Sequence, residues 1–84
     1  SSAASDVYKR QIIEGEVENS ILFRGVRIGK GARVKNCVLM QDTVIEADAS
    51  VEYVVTDKNA TITRDRIIKG AVTFPVYVAK YQIV

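Results

Sequence analysis

At 84 residues the chain makes one small domain, near the size at which a single core is only marginally stabilising. A net charge of +2 from interspersed acids and bases gives no case for nucleic acid or an anionic membrane as a partner. No run is long and apolar enough to span a bilayer, no signal-peptide pattern is present, histidine is absent, and the lone Cys37 cannot form an internal disulfide, which fits a reducing cytoplasm.

Taken in chain order, the opening SSAASDVYKRQ, residues 1–11, has no hydrophobic period and matches nothing that follows. It resembles the conceptual translation of a sequencing-library adapter and is expected to be a non-native, disordered leader, so the domain proper is expected over residues 12–84. From Val17 the chain falls into rows of 17: VENSILFRGVRIGKGAR, VKNCVLMQDTVIEADAS, VEYVVTDKNATITRDRI, and a fourth opening IKGAVTFP. Val17, Val34, Val51 and Ile68 form one column; Ile21, Val38, Val55 and Val72 form a second; Ile28, Ile45 and Ile62 form a third. Leu22 and Leu39 begin a fourth, which weakens to Thr56 and Thr73. Such recurrence marks a repeat architecture.

The spacing inside each row indicates its kind. Val17 to Leu22 is five residues, Leu22 to Ile28 six, and Ile28 to Val34 six. Steps this short cannot hold a helix pair, and Val plus Ile, 22 of the 84 residues, favour strands. A short strand and a corner, three times per row, coil into a triangular prism whose turns stack about 4.8 Å apart. All four columns are expected to point inward, with the small Ala32 and Ala49 at tight corners. Glu18, Lys35, Glu52 and Lys69 alternate in sign down one polar column, as stacked neighbours should, with Asn19 and Asn36 as an amide ladder beside them. Gly25, Gly29, Gly31, Asp42, Asp48 and Asn59 cluster near the corners, where φ > 0 or side-chain-to-backbone bonding is useful.

The register fails at both ends. Ile12–Glu16 keeps the composition without the spacing, which predicts a remnant coil. Arg66 replaces the corner alanine, which predicts a loosened third coil. Beyond Thr73, Pro75 breaks the pattern, and FPVYVAKYQIV is expected to form an extended strand closing the open end, with Tyr77 and Tyr81 packing the tail.

IGKGAR and IEADAS follow the [LIV]-[GAED]-x-x-[STAV]-x hexapeptide of left-handed parallel β-helices, and the left hand is implied by that resemblance alone. Within this all-β class, GEVENSILFRGVRIGKGARVKNCVLMQDTVIEADASVE resembles the C-terminal domain of glucose-1-phosphate adenylyltransferase (ADP-glucose pyrophosphorylase). The ending GAVTFPVYVAKYQIV is more similar to the GlgD-type subunit. The resemblance covers Ile12 to Val84. It implies about four partial coils behind an N-terminal nucleotidyltransferase domain, with assembly and allosteric control as the role of the β-helix in ADP-glucose and glycogen synthesis. It also implies other adenylyltransferase subunits as partners, and ATP and Mg²⁺ bound by the domain that is not here. No catalytic, cofactor or metal residue can be carried onto this sequence.

Two alternatives belong to other classes. A hexapeptide acyltransferase needs a histidine base, and a γ-class carbonic anhydrase needs three histidine ligands for zinc; this sequence supplies neither. A plain β-solenoid assembly module is the third reading. Gly29-Lys30-Gly31 recurs as Glu46-Ala47-Asp48, so it reads as a corner rather than a phosphate cradle. Arg24, Arg27, Lys30, Arg33 and Lys35 are the candidate contacts for an anionic effector or a subunit interface, against a default of solvated corner charges. Cys37 shares a column with Ser20 and Val54 as a tolerated small residue, and Asp57 and Asp65 lack partners at metal-ligand spacing.

Overall fold

The computed structural model describes residues 11–84, so the expected leader at 1–10 lies outside the described residues. Gln11, grouped with that leader above, is placed: its side-chain amide donates to the carbonyls of Leu22 (2.9 Å) and Phe23 (3.1 Å). Twelve short strands follow: β1 Ile12–Ile13, β2 Glu16–Glu18, β3 Ile21–Leu22, β4 Arg27–Ile28, β5 Arg33–Lys35, β6 Val38–Leu39, β7 Val44–Ile45, β8 Ser50–Glu52, β9 Val54–Thr56, β10 Thr61–Ile62, β11 Ile67–Lys69 and β12 Val76–Val78. They form three parallel sheets, the faces of a prism. The first face is β1-β4-β7-β10, the second β2-β5-β8-β11, and the third β3-β6-β9-β12.

The pairing confirms the 17-residue period. Val17 lies on Val34 and Val34 on Val51, Ile28 on Ile45 and Ile45 on Ile62, Leu22 on Leu39 and Leu39 on Thr56. Ile28, Val34, Leu39, Ile45, Val51 and Ile62 are buried, while Val17, Leu22 and Ile68 are partly buried end layers against the same core. Ala32, Ala49 and Ala60 are fully buried at corners, as small residues must be where the chain turns inside a narrow prism. Thr56, in the position of Leu39, keeps its hydroxyl satisfied without water. It lies 2.8 Å from the Thr43 hydroxyl, which donates to the Asp57 carbonyl at 3.2 Å, and Thr56 Oγ1 accepts from the Met40 N–H at 3.3 Å.

The column Ile21, Val38, Val55 and Val72 is a correction. Ile21 stacks on Val38 and Val38 on Val55, but they point outward: Ile21 is 60% exposed, and Val38 and Val55 are only half-buried. The inward partner is the residue before each: Cys37 and Val54 are buried and Ser20 is half-buried. The five-residue step is the reason. It lacks one corner residue, so the inward position comes three residues after Val34 rather than four, and one residue of slip exchanges the two faces of a strand. Cys37 therefore belongs to the core. Val72 leaves the stack altogether. It lies in a five-residue insertion closed by an Ala71–Phe74 bridge, it is 76% exposed, and Tyr77 takes its place on Val55.

After that insertion the tail resumes the coil instead of capping it as a separate strand. β12 extends the third face, Val78 is buried on Thr56, and Ile83 bridges to Thr61 so that the chain end continues the first face. The expected loosening at Arg66 is absent from the backbone, because its carbonyl still accepts from the Ser50 N–H at 2.7 Å and β11 pairs in register on β8. Only the Arg66 side chain is turned out to solvent. Tyr77 and Tyr81 do not pack the tail either, being 61% and 69% exposed.

All three corners use left-handed backbone. Positive φ occurs at Asn19, Asn36 and Tyr53 on the first corner column, at Gly25, Asp42, Asn59 and Tyr81 on the second, and at Gly31, Asp48 and Asp65 on the third. Asn and Asp tolerate this region, but a bulky aromatic pays for it in steric crowding against its own carbonyl. Asn19 donates from its side-chain amide to the Asn36 side-chain carbonyl, and Tyr53 (φ 54°) interrupts that ladder one coil later. Tyr53→Asn is therefore expected to raise stability by about 1 kcal/mol, seen as a melting temperature higher by roughly 4–8 °C in thermal denaturation.

Candidate functional site

With the interior filled by side chains, chemistry is confined to the three outward faces and their corners. The second face is polar and charged apart from Ile67, which stands on Ser50 and is 69% exposed. Glu18, Lys35, Glu52 and Lys69 stack in register there, as the alternating column predicted, and Glu16 lies on Arg33 with 3.9 Å between carboxylate and guanidinium. Both partners of that pair are largely exposed, so its contribution is at most about 1 kcal/mol. The first face mixes Ile12, Arg27, Val44 and Thr61 in its outward column. The third face is different: its outward column is Ile21, Val38, Val55 and Tyr77, followed two residues on by Phe23, Met40 and Asp57 in the first three coils.

The five candidate cations do not meet at one place. Arg27 is on β4 of the first face, and Arg33 and Lys35 are on β5 of the second; Lys30 lies at the corner between those strands, and Arg24 lies at the preceding corner, between β3 and β4. An anion touching all five would have to wrap two corners. No group of three or more potential metal ligands occurs among the described residues.

Cys37 is not a reactive thiol. It is 2% exposed, its sulfur lies 3.2 Å from the Lys35 carbonyl, and burial pushes its pKa above the ordinary cysteine value, which keeps it protonated. A polar cluster that the linear pattern does not announce sits on the third face. Asp57 accepts from the Lys58 N–H at 2.7 Å and from the Tyr77 hydroxyl at 2.8 Å. These two donors, with Lys80 and Lys58 nearby, hold its carboxyl below the usual aspartate value, and the same contact raises the Tyr77 phenol. The five-residue insertion brings Tyr77 over Asp57, and nothing in the linear spacing announces it. A lowered carboxylate pKa adds stability above its unfolded value, and that stability fades as pH falls through the folded value. Tyr77→Phe is expected to raise the Asp57 pKa toward normal in an NMR titration, and its melting difference from the parent chain should narrow in acid.

Comparison with known proteins decides the family. The GlmU-like, C-terminal hexapeptide family matches residues 2–71. This chain belongs to that hexapeptide family. Its left-handed parallel β-helix is the fold implied by the hexapeptide pattern and built by the three parallel faces. Among curated relatives it is 60% identical over 35 residues to "Glucose-1-phosphate adenylyltransferase" of Clostridium perfringens, covering 42% of this chain and 9% of the relative. It is 44% identical over 69 residues to "Glycogen biosynthesis protein GlgD" of Bacillus subtilis, covering 82% of this chain and 20% of the relative. It is 37% identical over 57 residues to "Glucose-1-phosphate adenylyltransferase" of Corynebacterium jeikeium, covering 68% of this chain and 14% of that relative. The hexapeptide chain thus spans no more than about a fifth of the length of these three relatives. No solved structure gives a significant match. No helix among the described residues is long and apolar enough to cross a membrane.

Proposed function

We propose that this chain is the C-terminal β-helix of a GlgD-type subunit of glucose-1-phosphate adenylyltransferase, serving subunit assembly and allosteric control in ADP-glucose and glycogen synthesis. The observation that carries the reading is the extent of the GlgD match, 82% of this chain, against 42% and 68% for the two adenylyltransferase relatives above. A run that long takes in most of the prism and not merely the hexapeptides common to many β-helices. The chemistry of the residues supports a non-catalytic role: without histidine there is no acyl-transfer base on the prism, and the buried Cys37 is protonated and inert. In this reading ATP, Mg²⁺ and glucose 1-phosphate are bound by an N-terminal nucleotidyltransferase domain of the same polypeptide, other adenylyltransferase subunits are the assembly partners, and the setting is cytoplasmic. Arg33 and Lys35, neighbours on one outward strand, are the pair best placed to meet an anionic effector, with Lys30 at the adjoining corner.

The test is the coding sequence contiguous with Ile12, followed by assay of its product. A Gly-rich nucleotidyltransferase domain is expected upstream, and the whole polypeptide, mixed with a catalytic adenylyltransferase subunit, is expected to change the effector response of diphosphate release from ATP and glucose 1-phosphate. Histidines and an acyl-donor groove upstream would instead make the parent an acyltransferase. An upstream region of neither kind would leave a plain solenoid.

A further inference from the structure

We propose that the open groove along the corner between the second and third faces binds a neutral glucan chain, held by the Asn19–Asn36 amide pair and the Tyr53 ring. The groove measures about 500 Å³, within the range of small-molecule sites, and is lined by Asn19, Asn36 and Tyr53 on the corner and by Ile21 and Val38 on the third face. No charged side chain lines it, whereas three other grooves on the prism each carry both carboxylates and basic groups. The Glu18, Lys35 and Glu52 column stands one residue earlier, on the second face. Phosphates, nucleotides and acidic peptides therefore find no counter-charge in the groove, and the ligand it suits is uncharged.

The lining side chains narrow the ligand further. Asn19 donates to the Asn36 side-chain carbonyl, which leaves the Asn19 side-chain oxygen and both Asn36 amide hydrogens without a partner among the described residues. A free acceptor and free donors on adjacent coils suit sugar hydroxyls, which both donate and accept. Ser20 does not compete, because its hydroxyl donates to the Glu18 carbonyl and accepts from the Cys37 N–H. A pyranose ring also has an apolar C–H face, and the Tyr53 ring with Ile21 and Val38 offers the matching surface. Tyr53 holds φ at 54°, a position that Asn fills in the two coils before it, and strain of this kind at a bulky residue collects at binding sites. More exposed apolar side chains occur elsewhere: Ile67 on the second face, Ile83 on the last coil, and Val72 and Phe74 in the insertion. None of them lines this groove, and exposure alone selects no ligand.

The experiment is native electrophoresis of the full polypeptide encoded by the parent gene, in gels containing glycogen, hydroxyethylcellulose or dextran sulfate. Retardation by at least one of the two neutral glucans is expected, and it identifies the linkage. Tyr53→Asn and Asn36→Asp are each expected to reduce that retardation severalfold, while Tyr53→Phe keeps it. Misfolding does not account for such a loss, because Tyr53→Asn relieves left-handed strain and is expected to melt above the parent, and Asp holds the same backbone region at Asp42 and Asp48. Retardation by neither neutral glucan overturns the proposal, as does retardation by dextran sulfate alone. Retardation that both substitutions leave intact places glucan binding elsewhere in the polypeptide and also overturns it. An upstream region without a nucleotidyltransferase domain would remove the functional reading above and leave this result standing, since the substitutions report on the groove whatever precedes it.

Discussion

Ile45→Asp is expected to abolish the folded state, with loss of the strand signal in far-ultraviolet circular dichroism at 25 °C, while Lys30→Ala melts within about 0.5 kcal/mol of the parent chain. Ile45 has no exposed surface and lies between Ile28 and Ile62 in the middle of the first face. Truncating an aliphatic side chain in such a stack costs about 2–5 kcal/mol, and an unpaired carboxylate left there adds several more. A domain of this length holds only about 4–12 kcal/mol in total, so the sum approaches or exceeds it. Lys30 stands at a corner in water and carries no such burden. Identical melting of the two variants would mean that Ile45 does not face the interior.

Gly29→Ala is expected to lower stability by about 3 kcal/mol, or roughly 12–24 °C in melting temperature, although only one methyl group is added. A Cβ at Gly29 would stand 2.6 Å from the Ala47 nitrogen and 2.9 Å from the Glu46 carbonyl carbon, both backbone atoms of the next coil. That coil is also bonded to Gly29, whose N–H donates to the Ile45 carbonyl at 2.7 Å, so the two turns cannot part without breaking the ladder. Gly31 is the control. Its φ is +78°, the Asp copies above it, Asp48 and Asp65, adopt the same conformation, and its added Cβ would meet the Asp48 carboxylate, a side-chain end that can rotate away. Gly31→Asn is thus expected to cost within about 1 kcal/mol. Should Gly29→Ala melt as high as Gly31→Asn, the close approach of the coils at Gly29 is wrong.

These glycines show where sequence reasoning stops. Both fall at a corner of the same hexapeptide, and composition treats them alike. One is glycine because the backbone is left-handed, the other because a neighbouring coil leaves no room, and only the second fact depends on atoms 17 residues away. The same limit explains the third face. Ile21, Val38 and Val55 form a more uniform aliphatic column than Ser20, Cys37 and Val54, so hydrophobicity alone selects the wrong one as core. The outward placement of the aliphatic column follows from a corner that is one residue short.

The linear pattern alone carries the period of 17, the stacking of Val17 on Val34 and Val51 and of Ile28 on Ile45 and Ile62, the alternating charge column, and the left-handed corners at Gly25, Gly31, Asp42, Asp48 and Asn59, though not those at Asn19, Asn36, Tyr53, Asp65 and Tyr81. These follow from composition repeated at a fixed interval, and each coil states them again. Tertiary structure alone decided which side of β3, β6 and β9 faces water, that five inserted residues put Tyr77 rather than Val72 above Val55, and that Tyr77 then reaches Asp57. The physical reason is that strand side chains alternate sides, so one residue gained or lost at a corner inverts a whole face while leaving the linear pattern almost unchanged.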